Sequence, residues 1–244
     1  MKQFSEHIWY RDEDSRTDLP YCYYMNGDRF SLAVDAGNSP ESHKKFLMEL
    51  EEAGLRKPDL LVLTHWHYDH SFGLPGVECP VIASKKTQEN LIRISRWKWT
   101  EEAMLERLNS GESLRFAYEK LHIIYPDITK IKTGLADILF DSEMELNLGG
   151  VTAHLIHVDT PHTRDAVLIY VPEDKVLIGG DAHDVDYYDN RGKFDADRLK
   201  QFVDFLQPLP FEHYLKGHDG ASVEKGELLS ALENGKTLPG SLMM

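Results

Sequence analysis

The segment Thr64–His70, THWHYDH, follows the run Asp59–Leu63, DLLVL, and its reading decides the fold. A short, mostly apolar run of this kind reads as a buried strand. In an extended segment positions i and i+2 project to the same side, so His65 and His67 can reach one metal ion. Asp69 and His70 can then turn toward a second. Four donors within six residues, at the mouth of a buried strand, are too dense a set of costly polar side chains for packing alone.

The segment resembles the HxHxDH signature of the metallo-β-lactamase superfamily, and the resemblance runs from about Phe30 to Gly220. Three later positions match the family's order: His162 in DTPHTRDAV, Asp181 in VLIGGDAH and His218 in YLKGHDG. The resemblance implies an α/β fold, an αββα sandwich with metal at the edge of its sheets. Carried over residue by residue, it assigns His65, His67 and His162 to one metal and Asp69, His70 and His218 to another, with Asp181 bridging. The cofactors so implied are two divalent ions, zinc in the leading reading, although His and Asp donors suit iron and manganese too. The reaction implied is hydrolysis by a bridging hydroxide, with Asp69 as the catalytic residue that orients the nucleophile or accepts its proton.

A chain of 244 residues with 41% hydrophobic content can bury a substantial core and reads as one domain over 1–244. Its net charge of −14 disfavours nucleic acid and anionic membrane surfaces, leaving a small molecule as the expected partner. Cys22 and Cys79 are too few for a disulfide framework, and the opening MKQFSEHIWYRDED has no leader pattern, so a cytoplasmic location is expected.

The rest of the pattern supports two sheets with outer helices. Asn26-Gly27 suggests a two-residue hairpin between Tyr21–Met25 and Phe30–Val34. Ser39-Pro40-Glu41 starts a helix that stops at Gly54, and Asp35 is either a turn residue or, by the resemblance, a buried support for the metal loop. A helical insertion spans about 84–133, with Ser84 and Thr100 as helix starts. Strands resume from Ala136 as a second antiparallel layer, Asp195 caps a further helix, and Ser222 caps the last.

Substrate contacts are expected from Trp97 and Trp99, if the insertion is a lid rather than a homo-oligomer contact, and from His183, two residues after Asp181. No subfamily is assigned. Relatives that hydrolyse β-lactams often carry Cys at the position of Asp181 and a Lys three residues on, where this chain has Asp184. The expected function is therefore cleavage of a small ester, thioester, lactone or amide. A β-lactamase, a phosphodiesterase, a mononuclear iron oxygenase and a non-catalytic metal binder are the alternatives.

Overall fold

The structure is a computed structural model that describes residues 1–238, so the last six residues of the expected domain lie outside it. Strands β1 (Lys2–Gln3) and β2 (Ile8–Arg11) precede β3 (Cys22–Asn26) and β4 (Ser31–Val34), and helix α1 (Pro40–Glu52) leads to β5 (Leu60–Val62). The one-turn helix α2 (Tyr68–Ser71), β6 (Val81–Ser84), helices α3 (Lys85–Ser95), α4 (Glu101–Ser110) and α5 (Arg115–Ile124), and β7 (Ile138–Phe140) follow. Then come β8 (Glu143–Asn147), β9 (Thr152–Val158), β10 (Ala166–Val171), β11 (Val176–Gly180), α6 (Ala196–Leu206), β12 (His213–Lys216), β13 (Ser222–Glu224) and α7 (Lys225–Glu233).

These strands form a seven-stranded sheet, ordered β1 to β7, and a six-stranded sheet ordered β13-β12-β11-β10-β9-β8. The period of two along each strand sorts side chains into three apolar layers. Leu32, Val34, Val62, Ile82, Leu155, Val167, Ile169 and Ile178 meet between the sheets. Ala33, Leu61 and Val81 face the other way, toward Phe46, Leu50, Leu91 and Ile94 of α1 and α3. Leu168 and Leu177 face Phe202, Leu206, Leu228 and Leu232 of α6 and α7. Helix, sheet, sheet, helix is thus the αββα order expected from the motifs.

Several helix starts behave as their residue types dictate. Ser39 and Ser42 form a reciprocal capping box at α1, while Ser84 accepts from Thr87 N–H and Thr100 from Ala103 N–H. Asp195 accepts from both Asp197 and Arg198 N–H.

Three local expectations are corrected. Asn26 pairs with Ser31, so the hairpin loop has four residues rather than two. Gly27 is needed there for room, because a Cβ would lie 2.3 Å from the Leu148 carbonyl oxygen. The strand near Ala136 belongs to the first sheet, where β7 runs parallel to β6, and not to the second layer. Ser222 opens β13 instead of capping α7. Among the described residues no helix is long and apolar enough to cross a membrane.

His43 on α1 is buried, and its Nδ1 has no hydrogen-bond partner. Burial pushes its pKa from the ordinary 6.5 down to about 4. Between those values the unfolded chain binds a proton that the folded chain refuses, so this contribution is intact above pH 6.5 and lost as pH falls toward 4. His43→Gln is expected to flatten the fall in unfolding free energy across that window by about 1–3 kcal/mol, measured by denaturant titration at several pH values.

Candidate metal centre

β5 carries the chain to the sheet edge, where α2 turns Asp69 and His70 inward behind His65 and His67. His162 follows β9, Asp181 follows β11 and His218 follows β12. The seven residues proposed from sequence converge in two adjoining groups, His65–His67–His162 and Asp69–His70–Asp181–His218. In the first, His67 Nδ1 lies 3.0 Å from both His65 Nε2 and His162 Nε2. In the second, His70 Nε2 lies 3.0 Å from Asp69 Oδ2, and His218 Nε2 lies 3.1 Å from the same oxygen.

Asp181 stands between the groups. Its Oδ2 is 3.0 Å from His70 Nε2, 3.8 Å from His218 Nε2 and 3.9 Å from both His65 Nε2 and His162 Nε2. Close approach of the last loop makes this placement tight, since a Cβ on Gly217 would fall 2.0 Å from Asp181 Oδ1. Glycine is the residue that fits there.

Hydrogen bonds behind the rings set their tautomers. His162 Nδ1–H donates to the Val185 carbonyl at 2.8 Å, so a neutral ring keeps its lone pair on Nε2. His70 Nδ1–H donates to Asp35 Oδ2 at 2.7 Å, with the same result. The Thr64 hydroxyl donates to Asp35, at 2.8 Å to the nearer oxygen, and accepts from His65 Nδ1–H at 3.0 Å. Three Nε2 lone pairs therefore face the interior of the site.

Asp35 is the support that the resemblance suggested. It is buried in the left-handed region at φ +67° and also accepts Thr64 N–H at 2.7 Å.

The electrostatics favour a cation. Burial, and then the neighbouring imidazoles, hold His65 and His67 well below the ordinary histidine pKa, so their nitrogens are free to donate. Burial alone would push Asp181 up, but His70 and His218 hold it well below the carboxylate range. His70 shows the converse: burial lowers it, yet Asp69, Asp181 and Asp35 raise it well above normal. The field that attracts a proton to that nitrogen attracts a metal ion equally. Converging lone pairs beside ionised carboxylates are the donor chemistry that divalent ions require, and the residues fit such a group.

A cleft opens over these donors, lined by Leu114, Phe116 and Ala117 on one side and Tyr187 and Tyr188 on the other. Asp18, Asp184 and Asp219 join Asp69 and Asp181 in its lining. Burial, then repulsion from Asp69, raises Asp18 to about 6, and Asp18 accepts a hydrogen bond from the Tyr68 hydroxyl.

The expected substrate contacts lie elsewhere. Trp97 and Trp99 pack against each other at 5.8 Å, and Trp99 meets Phe72 at 5.4 Å. Both indoles join the apolar layer beneath the helices, with the Arg107 guanidinium 4.6 and 5.1 Å from their rings. Their apolar bodies are worth more in that layer than at a wet cleft. The insertion does reach the site, but through the start of α5. His183 is buried against the Tyr214 ring at 5.4 Å, outside the cleft lining. Leu114, Phe116 and Asp18 of the cleft lining carry no site motif, and Asp219 is marked only by its place beside His218 in YLKGHDG. The pair Tyr187-Tyr188 so soon after Asp181 was the available signal.

The chain belongs to the metallo-beta-lactamase superfamily, whose family model matches residues 16–186. Solved structures agree at the level of fold. A metallo-beta-lactamase from Pontibacter korlensis aligns with a TM-score of 0.62 at 20% identity, over 96% of this chain and 98% of that one. A metallo-beta-lactamase family protein from Thermus thermophilus aligns at 0.65 and 17%, over 93% and 77%. The BLEG-1 B3 metallo-beta-lactamase aligns at 0.61 and 22%, over 90% and 94%. Among curated proteins none matches the sequence.

Removing the acceptor behind His70 tests the supporting layer. Asp35→Ala is expected to weaken divalent-metal retention by about 10- to 100-fold, read by chelator competition.

Proposed function

We propose that the protein is a dinuclear metallo-hydrolase, with zinc as the leading metal, acting on a small, uncharged ester, thioester, lactone or amide. The observation that carries this reading is the Asp181 carboxylate set between two donor clusters at the floor of a cleft. His65, His67 and His162 would hold one ion and Asp69, His70 and His218 the other, with Asp181 shared. Two bound divalent ions supply an acidified water as nucleophile and a Lewis acid for the carbonyl oxygen.

The chain's own residues supply the rest. Burial opposes ionisation of Asp69, but His70 and His218 hold it well below the carboxylate range, so at neutral pH it is ionised and able to accept a hydrogen bond that orients a water. Leu114, Phe116 and Ala117, with Tyr188 across the cleft, offer apolar surface that would seat an acyl group. The cleft is narrow and partly open to solvent, which suits a small substrate.

Charge narrows the substrate further. Two divalent ions, the Asp69 and Asp181 carboxylates and one hydroxide would together leave about one surplus positive charge at the ions. The structure adds Asp18, Asp184 and Asp219 to the same cleft, and among the described residues no Lys or Arg lines it. A phosphodiester or a carboxylate-bearing β-lactam would meet these carboxylates, whereas a neutral carbonyl compound need only place one oxygen at the ions.

Metal-supplemented expression followed by elemental analysis is expected to give about two ions per chain, and Asp181→Ala fewer, since the shared anion no longer offsets repulsion between the cations. One tightly held ion in both proteins would remove the dinuclear reading. A panel of lactones, thioesters, phosphodiesters and β-lactams, run with zinc, manganese and iron forms, tests the substrate. Neutral carbonyl compounds are expected to lead in kcat/KM by more than about tenfold, with Asp69→Asn lowering kcat about 10²- to 10⁴-fold. A dominant phosphodiester would overturn the ranking, and oxygen consumption by an iron-only form would replace hydrolysis with oxygenation.

A further inference from the structure

α6 docks through Phe202, Val203 and Leu206, which belong to the outer apolar layer of the second sheet. Its first turn also carries Arg198, a buried cation that this packing does not require. Arg198 Nε donates to Asp159 Oδ1 at 2.9 Å, Nη1 donates to Asp186 Oδ2 at 2.9 Å, and Nη2 donates to the Thr160 carbonyl. The other Asp186 oxygen accepts the N–H groups of Tyr188 at 3.0 Å and Asp189 at 2.8 Å. One guanidinium thus joins the loop after β9 to the loop after β11.

His162 sits on the first of those loops, and the Val185 carbonyl that fixes its Nδ1–H sits on the second, next to Asp186. Shifting either loop would lengthen that bond and release the ring. The wall residues Tyr187 and Tyr188 are on the second loop too. A planar guanidinium with three directed donors can hold two loops in one geometry, which a lysine ammonium cannot reproduce.

We infer that Arg198 is a positioning residue: by fixing Asp186 and the Thr160 carbonyl, it places His162 and thereby sets the metal affinity of the His65–His67–His162 cluster. This rests on the reading of that cluster as a metal site. The other cluster takes Asp69 and His70 from α2, His218 from the β12 end and Asp181 from the β11 end, and none of these four bonds to Arg198 or Asp186 among the described contacts.

The test is a cobalt(II) titration with chelator competition on the full-length wild type, Arg198→Lys, Arg198→Met and Asp186→Asn. His67→Ala and Asp69→Asn assign the two binding phases to the two clusters. Arg198→Met and Asp186→Asn are expected to weaken the first-cluster phase by about 10- to 100-fold while the second stays within about threefold. Arg198→Lys is expected to recover part of the loss, and far-UV circular dichroism of the metal-free proteins to match wild type. Equal weakening of both phases, or no change in either, overturns the inference. If Arg198→Met does not fold, Asp186→Asn and Arg198→Lys decide by the same criterion. Wild type that binds no cobalt overturns the metal-centre reading itself, a failure distinct from that of Arg198.

Discussion

The Asp35 carboxylate is the contact on which the metal loop depends. It receives Thr64 N–H, the Thr64 hydroxyl and His70 Nδ1–H, and through Thr64 it also fixes His65. A buried carboxylate is expensive unless its oxygens are fully used, and here both are. Its positive φ at the end of β4 is a further cost, met by the donors converging on it. Packing of β4 beside β5 in parallel register brings that carboxylate to the loop, with Val34 opposite Val62.

The same economy governs the polar layer around the site. Asp165 accepts Trp66 N–H and the Thr163 hydroxyl, so the His162 loop is tied to the histidine loop of the first sheet. Arg198 ties it to the loop bearing Asp181. Buried charges at this edge are satisfied by directed partners, some local and some from distant stretches of chain. The rings that face the interior are aimed by groups well behind them, so the site's geometry is a property of the sheets' edges as much as of the seven donors.

Much of this was legible in the sequence, for identifiable reasons. His65, His67, Asp69 and His70 stand out because polar donors cluster beside an apolar strand, and His162, Asp181 and His218 follow in the order that the resemblance required. Ser39, Ser84, Thr100 and Asp195 were readable as caps because capping is decided within four residues. What depends on distant packing was not readable. β7 joins the first sheet because of its pairing with β6, which nothing within Ala136–Phe140 encodes. Trp97 and Trp99 looked like contacts for a ligand because aromatic residues serve cores and clefts alike. Asp18, far from any motif in sequence, enters the cleft only because its loop folds back beside Tyr68.

Each donor cluster draws on both sheets: His65 and His67 from the first with His162 from the second, and Asp69 and His70 from the first with Asp181 and His218 from the second. A metal ion held this way is a cross-link between two halves of the sandwich whose ligands lie more than ninety residues apart in the chain. It binds the docked sheets and finds no comparable site in the separated ones, so by mass action free metal adds directly to the stability of the closed sandwich. A chelator would act on this protein much as a mild denaturant acts on others, prising at the edge where the two sheets meet.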